Sequence, residues 1–277
     1  MFNKIKKLII LLRTVRDNSV RQDRMLAELQ KTVVKQGEQI VALRKYNETQ
    51  FRRIGDQNEE LLWARVWQDT CRGVEWLRDL PGLSPGRWAV GYNYLYVMTR
   101  ILNDTRPRSV LDLGLGMSST LISQYFRHRD DADGTHTIIE SDPEWAAFYA
   151  LSHPLPPVSE IIHVDCVKKQ YDGCEYNAFQ DLAGAIGDRK YAVISIDAPR
   201  GTPKHSRRDI LDIIPKALED SFAIVMDDCE RDGEKATIAE LETALKNAGI
   251  DYCEKVYKGQ TYCCVITTPD QKFLCSL

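Results

Sequence analysis

The residues of this chain best suited to chemistry are carboxylates that follow short apolar runs. Asp112 precedes Gly114 and Gly116 within Val110–Thr120 (VLDLGLGMSST), and acids close four further runs. Glu140 ends Thr135–Glu140, Asp165 follows Ser159–Val164, Asp197 follows Tyr191–Ile196, and Asp227 with Asp228 follows Phe222–Met226. Packing alone does not explain acids in such places, because carboxylates are seldom buried without partners. A parallel sheet does explain them, since the carboxyl ends of its strands line one crevice in which these acids would meet. Gly114 and Gly116 remove Cβ atoms where the backbone must turn tightly beside a ligand, and Ser118 or Ser119 is expected to cap the helix that follows.

The spacing also narrows the ligand. Glu140 lies about twenty residues beyond the glycines, where nucleotide-binding folds hold a ribose diol, and Asp165 is placed to accept from an adenine amino group. A dinucleotide fits poorly, because Asp112 beside the turn repels a pyrophosphate and Ser119 stands where the third glycine of that fingerprint belongs. S-adenosylmethionine carries a sulfonium and an ammonium but no phosphate, so carboxylates attract it while backbone donors remain for its own carboxylate. Asp112, Gly114, Gly116, Ser118, Ser119, Glu140 and Asp165 are therefore the expected cofactor contacts. The stretch D-L-G-L-G-M-S-S, with Glu140 and Asp165, resembles the class I S-adenosylmethionine-dependent methyltransferases over residues 109–277. That resemblance implies an α/β fold, a Rossmann-like doubly wound sheet of seven strands whose last strand is antiparallel.

Chemistry is expected beyond the fourth and fifth runs, at Asp197-Ala198-Pro199-Arg200-Gly201 and at Asp227-Asp228-Cys229-Glu230-Arg231-Asp232-Gly233-Glu234. A sugar hydroxyl is too weakly acidic to attack a methyl group unaided at neutral pH. Either a carboxylate takes its proton, or a divalent cation (Mg or Mn) held by Asp197, Asp227 and Asp228 stabilises the alkoxide. The arrangement resembles metal-dependent catechol-type O-methyltransferases, except that Asp228 stands where their Asp-Asn pair has its Asn. A closer resemblance is to bacterial relatives of the plant glucuronoxylan 4-O-methyltransferases, carried by I-D-A-P-R-G (Ile196–Gly201), M-D-D-C-E-R-D-G-E and the terminal F-L-C-S-L. It implies transfer to a hydroxyl of a cell-surface glycan or its precursor, with Asp197, Asp228, His205 and Arg231 as catalytic candidates. Arg200, His205, Arg207, Arg208 and Arg231 either bind a uronate or phosphate on the acceptor or pair with neighbouring acids. A small-molecule acceptor, or a scaffold whose nucleotide-binding domain no longer reacts, are the alternatives.

The elements that must position these residues follow from pattern. Helices are expected at Tyr92–Leu102, Pro143–Leu151, Asn177–Ile186, Arg207–Leu218 and Glu234–Ala248, and a closing hairpin at Asp251–Tyr257 and Thr261–Thr267. Residues 63–108 read as an aromatic-rich helical connector, broken by a turn at Pro81–Gly86, in which Trp88–Asn93 either packs in the core or forms a lid.

Residues 1–62 have a different grammar. With Ile5 at a, that position recurs through Leu12, Ser19, Leu26, Val33, Ile40, Asn47, Ile54 and Leu61, and d through Leu8, Val15, Gln22, Leu29, Gln36, Leu43, Gln50 and Gln57. Such a heptad repeat predicts an α-helical coiled coil that makes the chain a homo-oligomer, unless the helix folds back on its own domain. Met1–Arg16 is basic and amphipathic, so it either continues the coil or lies peripherally on a membrane; its apolar run Leu8–Leu12 is too short to span one. The expected location is cytoplasmic, at the inner membrane face in the second case. The net charge of −3 divides into 13 Lys and Arg against 8 Asp and Glu over residues 1–62 and an acidic remainder, which argues against nucleic acid as a partner. The eight cysteines show no CxxC pair or metal-ligand spacing.

Overall fold

The computed structural model describes residues 2–80, 82–83, 89–129 and 134–277. Pro81, Ser84–Gly86 and Trp88, on which the expected turn and lid depend, lie outside those residues. The chain divides into two units between Gly55 and Asp56. Helix α1 (Phe2–Gly73) runs across that division, and in the first unit its heptad residues Ile5, Leu8, Leu12, Leu26, Val33, Ile40 and Leu43 are all exposed.

The second unit is built on β1 (Ser109–Leu113), β2 (Thr135–Glu140), β3 (Ser159–His163), β6 (Tyr191–Ile196), β7 (Leu218–Met226), β8 (Cys253–Tyr257) and β9 (Cys263–Thr267). They form one seven-stranded sheet in the order β3-β2-β1-β6-β7-β9-β8, parallel except where β9 pairs antiparallel with both β7 and β8. Strand order reverses between β1 and β6, the place where a doubly wound sheet opens its ligand crevice.

Successive strand residues point to opposite faces, so each central strand feeds two cores. Leu111, Ile194, Ile196, Ile224 and Met226 pack on one face with Ile238, Leu241 and Leu245 of α6 (Asp232–Asn247). Val110, Val193, Ala223 and Val225 pack on the other with α2 (Tyr92–Thr105) and α3 (Met117–Arg127). Helix α4 (Pro143–Ser152) begins at Asp142, whose Oδ1 accepts from the N–H groups of Glu144 and Trp145 at 3.0 Å.

Two expected helices are corrected. The segment after β3 forms a hairpin, β4 (Cys166–Tyr171) with β5 (Cys174–Phe179), and only Leu182–Ile186 (α5) of the expected Asn177–Ile186 is helical. The turn is Asp172-Gly173, both at positive φ, the dipeptide that two-residue hairpins favour. Arg207–Leu218 is a single 3-10 turn at Arg208–Asp212 followed by the early start of β7. Pro215 lacks the N–H a helix needs there and disfavours helical geometry at Ile214.

Candidate active site

Parallel register places the candidate acids side by side. Leu113 pairs with Ile139 of β2 and with Ile196 of β6, and Ile196 pairs with Met226 of β7. The next residue of each strand is thus Gly114, Glu140, Asp197 and Asp227. Backbone bonds tie this row together: Gly114 N–H donates to Ile139 O (3.0 Å), Asp197 N–H to Leu113 O (2.9 Å) and Asp227 N–H to Ile196 O (3.1 Å).

The glycine turn follows from two different demands. Gly114 has φ +108° and lies so close to Ala198 that a Cβ would come within 2.9 Å of the Ala198 methyl. Gly116 has an extended backbone and a Cβ there would meet open space, which is the cavity itself. The expected serine cap is corrected: Gly116 occupies the cap position, and Ser119 reaches back so that its Oγ accepts from Gly116 N–H at 3.0 Å. Ser119 Oγ also donates to Asp112 Oδ2 (2.6 Å), and Ser195 Oγ donates to Asp112 Oδ1 (2.6 Å), with Tyr94 Oη 2.6 Å from Ser195 Oγ. Asp112 is fully buried, so its charge lies behind the turn and holds it in shape. Ser118 is likewise buried in the first turn of α3. The Glu140 carboxylate accepts from the N–H groups of Leu115 (3.0 Å), Ser141 (2.6 Å) and Asp142 (2.8 Å), which fixes it at the cavity wall.

That cavity, about 260 Å³, is lined by Leu115, Gly116, Glu140, Asp197, Asp227 and Asp228 among others. A larger one of about 690 Å³ lies between α3, α4 and Pro154–Val158, and among the described residues no carboxylate lines it. In the smaller cavity Asp197, Asp227 and Asp228 each bring a carboxylate oxygen within 4.8 Å of the others. Burial pushes the Asp197 carboxyl up to about 6 against the pull of Arg207. Burial, followed by the charges of Asp197 and Asp228, holds Asp227 well above the usual carboxylate range. Arg207 lies among them: its Nη2 donates to Asp197 Oδ1 (3.1 Å) and Asp228 Oδ2 (2.8 Å), and its Nη1 to the carbonyls of Asp227 (2.8 Å) and Ile196 (3.3 Å). Arg231 pairs with the other oxygen, Asp228 Oδ1, at 2.6 Å, and Thr261 Oγ1 donates to Asp227 Oδ1 at 3.2 Å.

Five expected site residues do not line this cavity: Asp112, Ser118 and Ser119 are buried within the glycine turn and α3 instead of facing a ligand, and Asp165 and His205 stand elsewhere. Asp165 is exposed, 3.6 Å from His163, because the β4–β5 hairpin carries the chain away from the crevice at once. His205 packs edge-on against Tyr171 with its Nδ1 3.4 Å from Glu240 and does not line the acidic cavity. Conversely, sequence reasoning passed over Tyr94, Ser195 and Thr261, and of its two readings of Arg207, acceptor binding or pairing with neighbouring acids, the structure shows the pairing. Ser195 carried a readable signal, a hydroxyl inside the apolar run YAVISI that needs a buried partner. The others become visible only through tertiary contacts.

Neither a protein-family model nor a characterised protein sequence matches the chain. Among solved structures it is similar to the O-methyltransferase TomG of Streptomyces achromogenes in complex with SAM (16% identity over 65% of this chain and 82% of that one, TM-score 0.44). It is similar too to a putative caffeoyl-CoA O-methyltransferase of Staphylococcus aureus (14%, 76% and 99%, 0.48) and to an O-methyltransferase of Bacillus cereus in complex with SAH (12%, 76% and 91%, 0.46). Likenesses this distant assign no activity to the chain.

Proposed function

We propose that the chain is an S-adenosylmethionine-dependent O-methyltransferase. One observation carries the reading: the open space beside Gly116 and the fixed carboxylate of Glu140 share a cavity with half-buried Asp197 and buried Asp227, whose proton affinity is raised. The adenosyl ribose is assigned to Glu140, and the positively charged methionine end to the acidic side. The acceptor oxygen attacks the methyl carbon, so a C–O bond forms as the C–S bond breaks and its electron pair stays on sulfur as a neutral thioether. The hydroxyl proton passes to Asp197 or Asp227, which burial makes stronger bases than exposed aspartates. A glycan hydroxyl is the proposed acceptor, supported by the likeness of Ile196–Gly201 and Met226–Glu234 to the glucuronoxylan-type motifs, with Arg200 and Arg231 on the cavity wall.

Calorimetry with S-adenosylmethionine tests the donor, and labelled donor with a panel of glycans and small phenols tests the acceptor. A chain that binds neither S-adenosylmethionine nor its demethylated product refutes the reading. The exposed heptad residues of α1 support self-association through this helix, and the basic residues of its first turns support contact with anionic lipid. Among the described residues no helix is long and apolar enough to cross a membrane. Sedimentation of the full chain, alone and with anionic vesicles, tests both, since a monomer that ignores vesicles refutes them together.

A further inference from the structure

Three carboxylates converging at the ends of β6 and β7 suggest a divalent metal, and their ligand atoms are close enough to one another to hold one. One oxygen of Asp197, one of Asp227 and both of Asp228, however, are already engaged. Arg207 Nη2 lies 2.8 Å from Asp228 Oδ2 and 3.1 Å from Asp197 Oδ1. Arg231 takes the remaining oxygen of Asp228, so that side chain offers a metal neither of its atoms. A guanidinium is cationic at every physiological pH and its planar fork suits two acceptors at once, whereas a second cation beside it would be repelled.

The site is also built around this one residue. Arg207 is only 3% exposed and its Nη1 bonds to two strand-end carbonyls. Its backbone has φ +58°, a left-handed conformation that a long side chain such as arginine holds only when its surroundings enforce it. Glu234 stands 3.9 Å from Arg207 Nε and is itself held by Ser206 Oγ at 2.7 Å.

We propose that Arg207 is the site's own cation: its guanidinium holds Asp197 and Asp228 in the place a divalent ion would take, and the methyl transfer inferred above, on which this rests, uses no metal. Arg207 is a positioning residue. It sets the two aspartates beside Asp227 and lowers the mutual repulsion of the three, leaving Asp197 Oδ2 and Asp227 Oδ2 outside its hydrogen bonds.

Electron paramagnetic resonance of added Mn²⁺ reads this on the full chain without any turnover. Wild type is expected to leave the free-ion signal unchanged at millimolar Mn²⁺. Arg207→Ala, which uncovers Asp197 Oδ1 and Asp228 Oδ2 beside Asp227, is expected to gain one bound ion per chain and to lose it again when combined with Asp227→Asn. Arg207→Lys keeps the charge and is expected to bind none, so it and the wild type decide the matter should Arg207→Ala fail to fold. Stoichiometric Mn²⁺ binding by wild type that Asp228→Asn abolishes overturns the inference, as does a folded Arg207→Ala chain that binds no ion. Calorimetry with S-adenosylmethionine on the same samples tests the donor reading separately: loss of donor binding with a silent Mn²⁺ signal sinks the enzyme and leaves the guanidinium assignment standing.

Discussion

Gly114 and Gly116 sit two residues apart, yet alanine at each should fail in a different way. At Gly114 a methyl group must adopt φ +108° and approach the Ala198 Cβ to 2.9 Å and its backbone nitrogen to 3.3 Å. Backbone strain of this kind costs roughly 1–3 kcal/mol, and overpacking a filled site costs about 1–3 kcal/mol more. The sum, about 2–6 kcal/mol, corresponds to a fall in Tm of roughly 5–20 °C for a unit of this size. At Gly116 the backbone is extended and the space is open, so replacing the cap glycine should cost under about 1 kcal/mol. The same methyl group projects where the donor is proposed to sit, and a clash of about 1–3 kcal/mol weakens binding roughly 5- to 150-fold. Thermal unfolding followed by circular dichroism, with calorimetric titration of S-adenosylmethionine, measures both quantities on each variant. Wild-type Tm in Gly114→Ala would refute the packing argument, and wild-type donor affinity in Gly116→Ala would refute the seat assigned to the cofactor.

Other expectations follow from particular contacts. Asp209 is 1% exposed, and burial raises its carboxyl from 3.8 to about 6 even though Phe179 N–H donates to it at 2.7 Å. The folded state therefore holds this proton more tightly than the unfolded chain. Its stabilising effect is full below about pH 4 and is lost as pH rises through 6, a difference of about 3 kcal/mol. Asp209→Asn should remove that slope in urea unfolding at pH 4 against pH 7, and an unchanged slope would assign the pH dependence elsewhere. Ser119→Ala leaves buried Asp112 with one hydroxyl donor fewer and should cost about 1–3 kcal/mol in chemical denaturation, whereas Tyr94→Phe, one step further along the chain of hydroxyls, should cost about 1 kcal/mol. Equal losses for the two would show that the Asp112 bond carries no special weight. Glu60→Ala frees the N–H groups of Tyr92, at the start of α2, and of Gln260, and should lower stability by about 1–2 kcal/mol, read from the same denaturation curves.

The crevice was legible because its logic is local. Glycine spacing, β-branched runs and the acids that end them all lie within a few residues of one another, and parallel register then brings Gly114, Glu140, Asp197 and Asp227 into a row. What failed were segments whose conformation tertiary contacts decide. Cys166–Phe179 mixes polar and apolar residues with weak alternation, and although Asp172-Gly173 marks the turn, the mixed stretch after it reads equally well as a helix. Asp165 follows β3 as expected, but the hairpin that begins at the next residue takes it out to solvent. Arg207 could not be placed from spacing, because nothing local shows that a cation ten residues beyond Asp197 returns to bond its carboxylate. The serine cap went astray for a smaller reason, since Ser119 bonds backward to Asp112 and Gly116 as well as standing near a helix start.

The last turns of α1 have a practical bearing on how this protein can be cut. Tyr262 Oη donates to Asp56, Glu60 receives the Gln260 and Tyr92 amides, and the Trp63 indole donates to the Lys258 carbonyl at 2.6 Å. Asn93 secures the same turn through the carbonyls of Tyr257 and Thr261, and the Thr261 hydroxyl touches Asp227. A truncation beginning at residue 56 keeps every one of these anchors, but one beginning at 63 strips two of them from the loop that steadies Asp227 of the candidate site. The recombinant fragment for crystallography or assay should accordingly start no later than Asp56, even though the heptad pattern alone invites a cut further along.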